Sequence, residues 1–207
     1  MTSLTTSKTS SRLPSAMALM IASKANKLAI AALISAVGDD PLRPELLQTP
    51  SRIERILKDV FYGYAPFKPD FTKSFDVSDI KVNFVYIKNV FFSSNCEHHM
   101  LPFFGKADFI YSPSDSILGL SKIVDILNYF SARLQTQERL GYQVFDYLKR
   151  LLRPRSLVVK LTCKHVCMMA RGVKSVCSTA STVVSCGEYN ISKVVASRID
   201  SLLADSE

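Results

Sequence analysis

All three histidines of the chain stand in two short clusters, Cys96-Glu97-His98-His99 and His165-Val166-Cys167, separated by residues 100–164. Both clusters carry cysteine at metal-ligand spacing, and this constrains the fold more than any other feature of the sequence. Zn²⁺ takes thiolate and imidazole ligands in a tetrahedron, and a C-x-x-H pair with an H-x-C pair supplies them from two segments that the fold must bring together. The candidates outnumber the places. A structural zinc consumes four protein ligands, whereas a catalytic zinc uses three and leaves a corner open, so the surplus imidazoles point to catalysis.

The 207 residues, 47% hydrophobic and 21% charged, are ordinary globular material with enough apolar content for one sizeable core. Five cysteines, two of them in the clusters, do not form an even disulfide framework, which implies a reducing compartment and a cytoplasmic location. Cys163, Cys177 and Cys186 read as buried thiols. The net charge of +8 suits an anionic partner, either nucleic acid or a small phosphorylated compound. Nucleic acid is disfavoured, because the chain has no tryptophan, no basic helix with interleaved aromatics and no zinc-finger spacing. A membrane span is not expected, since Lys24 and Lys27 divide the N-terminal apolar region. Residues 1–38 lack acidic side chains, as a targeting peptide does, but their apolar pattern continues into what reads as a folded helix.

Residues 1–13 are Ser/Thr-rich and read as a flexible tail, residues 14–78 as a helical region, and residues 79–207 as the region holding both clusters. Pro14 to Val37 is helical in composition and stops at Gly38. Thr49-Pro50 should start a second helix with Ile53, Ile56, Leu57, Val60 and Phe61 on one face. Ile80 to Phe92 reads as a strand running into the first cluster, Pro102 and Gly105 as a loop, and Ala107 to Tyr111 as a strand turning at Ser112-Pro113-Ser114-Asp115 into a hairpin. Ser121 is expected to cap one central helix, and a second follows from Leu140 to Leu151. From Leu157 to Met169 the odd positions are the apolar or cluster residues, so His165 and Cys167 should share one face of a strand. Thr179 to Ser185 reads as its partner strand, and Asn190 as the cap of a final helix.

With three zinc ligands drawn from Cys96, His99 and Cys167, His98 and His165 remain free as general acid and base. The competing arrangement takes His165 as a fourth ligand and makes the site a noncatalytic brace for an assembly. Lys122, in the first turn of its helix, opposes that helix's dipole and hints at an anion bound there, with Arg171-Gly172 offering a second cation. Glu138 opens the next helix, where a carboxylate is favoured.

These residues resemble GTP cyclohydrolase I. The matching pieces are Cys96-Glu97-His98-His99 with Leu101-Pro102-Phe103-Phe104-Gly105-Lys106, then Gly119-Leu120-Ser121-Lys122-Ile123, Arg133 to Leu140, His165-Val166-Cys167-Met168 and Arg171-Gly172-Val173, preceded by Leu46 to Arg52. The resemblance implies an α+β tunnelling fold: an antiparallel four-stranded sheet with two helices between its middle strands, after a helical N-terminal region. It implies a homo-oligomer, commonly a decamer, with active sites at subunit interfaces. Carried over residue by residue, it implies Cys96, His99 and Cys167 as Zn²⁺ ligands, His98 and His165 as proton-transfer residues, Gln137 and Glu138 as the guanine-recognition pair, and Ser121, Lys122 and Arg171 as triphosphate or ribose contacts. The implied substrate is GTP, opened at C8 with release of formate to give 7,8-dihydroneopterin triphosphate. The chain departs from the family pattern at Gly141 to Tyr147, at Ser175 to Ser185, and at Asp125, where the family usually has arginine. That charge reversal should weaken polyphosphate binding unless Lys106, Arg133 or Arg139 compensates, and it motivates a second reading in which a less phosphorylated purine nucleotide is preferred.

Overall fold

The computed structural model describes residues 16–66, 74–76, 79, 82–114 and 116–204, so the expected tail lies outside the described residues. Its contacts divide the chain into Met1–Asp59 and Val60–Glu207. The N-terminal unit holds helix α1 (Ala16–Ala36) and nearly all of helix α2 (Thr49–Val60). Gly38, at φ +93°, takes the left-handed conformation that ends α1. Among the described residues of this unit, the buried polar one is Glu54, which accepts a hydrogen bond from Ser23 Oγ (2.9 Å) and faces Lys27 and Lys58 at 3.8 and 3.7 Å. Met17, Met20, Ile21, Leu28 and Leu33 of α1 remain exposed.

The second unit is mixed α and β. It begins earlier than residue 79, because the 3₁₀ turn Tyr62–Tyr64 is tied in by Gly63 N donating to Ala132 O (3.1 Å) and Arg133 Nε donating to Gly63 O (2.8 Å). Strands β1 (Ser74–Asp76), β2 (Val85–Cys96), β3 (Pro102–Ser112) and β4 (Ser116–Leu118) precede helix α3 (Leu120–Ser131). Strand β5 (Leu134–Gln135), helix α4 (Gln137–Leu152), strand β6 (Ser156–His165), the helical turn α5 (Val166–Met169), strand β7 (Ala180–Gly187), and helices α6 (Glu188–Ile191) and α7 (Lys193–Ala204) complete the order. The main sheet runs β5-β2-β3-β6-β7, antiparallel except for the β5–β2 pair. The expected sheet has four strands; the one observed has five, because the two-residue β5 joins the four long strands, and α3 and α4 are inserted between β3 and β6.

Phe103, Ala107, Phe109 and Tyr111 of β3 and Leu157, Val159, Leu161 and Cys163 of β6 alternate onto the face covered by Ile123, Ile126 and Leu127 of α3 and Leu140, Val144 and Leu148 of α4. Each fully buried Phe, Leu, Ile or Val among them contributes roughly 1.5–3 kcal/mol relative to exposure. Ile110 and Val158 on the other face meet Ile199 and Leu203 of α7.

Several local expectations are corrected. The turn after Ser112 makes no hairpin with β3, because β2 and β6 already occupy both edges of β3; β4 pairs with β1 instead. Pro102 and Gly105 lie within β3. Gly105 is there because a Cβ would stand 1.9 Å from Thr162 O across the ladder. Gly119, not Ser121, holds the N-cap position of α3. Ser192 caps α7, its Oγ accepting from Val195 N (3.4 Å), while Asn190 sits inside α6 and bonds Ser185. Cys177 is exposed and Cys186 half-buried, so of the three noncluster cysteines only Cys163 is a buried thiol.

Candidate metal centre and active site

β2 ends at Cys96, and the chain reverses through Glu97 to Leu101 into β3. Cys96 N donates to Leu101 O and Met100 N donates to Cys96 O, both at 2.8 Å, and Met100 closes the turn at φ +55°. This turn holds the imidazoles over the sulfur: Cys96 Sγ lies 3.9 Å from Nδ1 of both His98 and His99. The β3–β6 ladder runs as far as Phe103 opposite His165, which delivers the end of β6 to the same place. There the strand stops. Cys167 stands on α5 and not on a continued strand, so alternation does not put it on the face of His165; the helical turn brings it to the cluster instead.

The donor atoms of Cys96, His99 and Cys167 all lie within 4.8 Å of one another. Burial and the adjacent Cys96 push the Cys167 thiol above its ordinary pKa, with Arg171 opposing. Two protonated sulfurs and an imidazole gain little from this proximity, whereas a divalent cation stabilises both thiolates at once. Two sulfurs and one nitrogen also match a three-ligand zinc site with an open corner, so the donor set fits the implied metal.

His98 is exposed, its Nε2 3.9 Å from Glu97 Oε1. His165 is half-buried, stacked on Phe103 with ring centroids 4.8 Å apart and planes 7° from parallel. Burial lowers the His165 pKa, and the carboxylate of Glu138 opposes that shift. Its Nε2 is 2.8 Å from Oε1 of Gln137. Gln137, 2% exposed, also donates through Nε2 to Leu161 O (3.1 Å) and Ala180 O (2.9 Å), so both ends of its carboxamide are engaged inside the protein. Glu138 is exposed at the start of α4, beside Thr136, whose Oγ1 accepts from Arg139 N (3.2 Å).

Arg139 reaches back to the metal turn and grips Glu97 with both terminal nitrogens, one contact to Oε2 and the other to Oε1 at 2.9 Å. The guanidinium holds the Glu97 carboxyl below its usual pKa. Glu97 N also donates to Gln135 O (3.0 Å), so the ligand turn is tied to the segment that opens α4. The Phe103 stack and the Glu97–Arg139 pair escaped the sequence reading, although Glu97 lies between candidate ligands and Phe103 lies on the alternating core face of β3.

Ser121 is exposed, and neither it nor Lys122 makes a hydrogen bond or ion pair with the metal cluster among the described residues. Lys122 Nζ instead lies 3.0 Å from Asp125 Oδ2. The suggested compensating cations are committed elsewhere or turned away. Arg133 stacks on Tyr129 and Phe130 and bonds Gly63, Arg139 holds Glu97, and Lys106 alternates onto the sheet face opposite α3 and α4. Arg171 is exposed near Cys167.

Residues 26–203 match the family model for GTP cyclohydrolase I. The chain is 37% identical to GTP cyclohydrolase 1 of Brucella anthropi over 164 residues, covering 79% of this chain and 77% of that protein. It is 40% identical to GTP cyclohydrolase 1 of Chlorobium phaeovibrioides over 157 residues, covering 76% of this chain and 70% of that protein. The solved structure of the apo form of the archaeosine synthase QueF-Like aligns with a TM-score of 0.42 at 15% identity, over 52% of this chain and 96% of that one. On the family model's coverage and these relatives, the chain belongs to the GTP cyclohydrolase I family.

Proposed function

We propose that this protein is a zinc-dependent GTP cyclohydrolase I, which hydrolyses GTP at C8, releases formate and forms 7,8-dihydroneopterin triphosphate, the first step of pterin and tetrahydrofolate synthesis. The observation that carries this reading is the convergence of Cys96, His99 and Cys167 from two distant segments, with His98 and His165 beside them and outside the ligand set. Zinc held there supplies Lewis acidity, the means of making water nucleophilic at neutral pH. His98, exposed at the turn, is the acid for N7 of guanine, whose protonation makes C8 electrophilic. His165 moves protons on the ribose and the opened ring. Glu138 accepts hydrogen bonds from the guanine edge, and adenine, which presents no matching donors, leaves that carboxylate unpaired.

Ser121, Lys122 and Arg171 are the polyphosphate and ribose contacts in this reading. Ser121 and Lys122 make no hydrogen bond or ion pair with Cys96, His99 or Cys167 among the described residues, and for them we propose a place in an active site assembled between subunits. The exposed apolar side chains of α1, the outer edge of β7 and the stretch of β2 ahead of its short pairing with β5, neither edge paired among the described residues, support a homo-oligomer, for which we propose the family's decamer with sheets joined edge to edge in a tunnelling fold. Five free thiols support a reducing, cytoplasmic setting, and no described helix is long and apolar enough to cross a membrane.

Incubating the metal-loaded protein with GTP tests the reaction, read by ultraviolet spectra and formate analysis; absence of both products refutes it. The Lys122–Asp125 pair favours a second reading, a preference for fewer phosphates, because it neutralises a cation meant for the triphosphate. Comparing formate release from GTP, GDP and guanosine separates the two, and equal turnover of all three defeats the triphosphate assignment.

A further inference from the structure

Gln137 sits at the first position of α4 with its carboxamide bonded to Leu161 of β6 and to Ala180 at the start of β7. Its orientation is dictated by chemistry. The amide nitrogen faces two backbone carbonyl oxygens, Leu161 O and Ala180 O, which can only accept; a flipped carboxamide would set oxygen against oxygen at both contacts. Oε1 must therefore be the atom that faces His165 Nε2 at 2.8 Å. A carbonyl oxygen cannot donate, so Nε2 of His165 carries a proton whenever this contact is made. The parallel Phe103 ring, 4.8 Å away, restricts the imidazole to rotation within its own plane of contact.

We infer that Gln137 is a positioning residue that locks neutral His165 in the Nε2–H tautomer, leaving Nδ1 as its one basic nitrogen. This rests on the proton-transfer role proposed for His165, and it gives Gln137 a task other than side-chain recognition of guanine, which passes to Glu138. The hydrogen bond at one ring nitrogen decides which atom of a histidine does the chemistry. Here the deciding bond is itself fixed by two strands, so the tautomer is set by the folding of the β6–β7 ladder and not by substrate.

The test is the nitrogen-15 spectrum of histidine-labelled, zinc-loaded full-length protein, sedimented for solid-state measurement at about pH 8, where the imidazole is neutral. Three histidines give three pairs of signals, and His165→Asn assigns the relevant pair by its loss. A proton on Nε2 and none on Nδ1 is expected; a proton on Nδ1, or a mixture of tautomers, overturns the inference. Gln137→Met should then produce a tautomer mixture and lower kcat by about 100-fold, with zinc content unchanged and KM for GTP within about twofold. A raised KM with kcat preserved would mean that Gln137 reads guanine and would also overturn it. The wild-type spectrum decides the matter if the variant fails to fold, and it is readable even from a chain that turns over no GTP, so failure here is distinct from failure of the proposed function.

Discussion

Phe103→Leu perturbs the floor under His165. Phe103 is fully buried, lies edge-on to Phe92 at 6.4 Å between centroids, and stacks on His165 at 4.8 Å. Leucine removes about three carbons, worth roughly 2 kcal/mol at about 0.8 kcal/mol per buried carbon. The two aromatic contacts add about 0.5–1.5 kcal/mol each, while relaxation of neighbours recovers part of the total. The expected destabilisation is about 2–4 kcal/mol, measured by urea unfolding at fixed protomer and zinc concentration so that assembly does not shift the midpoint. A double-mutant cycle with His165→Ala isolates the stack, with an expected coupling of about 0.5–1.5 kcal/mol. The loosened imidazole should also lower kcat by about tenfold. Coupling indistinguishable from zero, or a variant that loses stability but keeps kcat, would refute the claim that Phe103 orients His165.

Arg139→Met should raise the zinc dissociation constant by about tenfold in a chelator competition, because it unties Glu97 from the ligand turn, and the exchanged pair Glu97→Arg with Arg139→Glu should recover part of the loss. Asp125→Asn should lower KM for GTP by about twofold to fivefold by freeing the Lys122 ammonium, whereas an unchanged KM would remove Lys122 from the triphosphate site. Burial pushes the Cys163 thiol up to about 12, so the folded chain holds a proton that the unfolded chain releases near the ordinary thiol value of 9.0. Its contribution is fully present below that value and is lost as pH rises toward 12, so the stability difference between wild type and Cys163→Ala should shrink across this window in urea titrations.

The sequence exposed what is periodic or chemically rare. Alternation along Leu157 to Cys163 revealed the buried face of β6, and the clustering of histidine with cysteine pointed to the residues that converge into a group able to hold a metal, because each signal repeats or concentrates within a few residues. Contacts made across strands were not legible in this way. Nothing near Glu97 in sequence points to Arg139 on another element, and nothing near Gln137 points to Leu161 or Ala180. The alternation also overran its element, since Cys167 fits the odd-position pattern while standing on a helical turn.

Gly105 shows why the largest misreading fell beside the site. A glycine three residues after a proline reads as a loop on local grounds, yet both belong to β3, Pro102 at the first strand position where a missing N–H is tolerated. The glycine answers a constraint from β6: Thr162 O and the Cα of Cys163 stand 1.9 and 2.8 Å from where a Cβ would be. Only this close approach lets the ladder run without a bulge to Phe103 opposite His165. A loop at Gly105 would end the pairing short of that pair and leave the β2–β3 turn without its partner strand. The Cys96–His99 turn and Cys167 meet because two backbones touch where a side chain is missing, a cause that lies in the geometry between strands and leaves only an absent Cβ in the sequence.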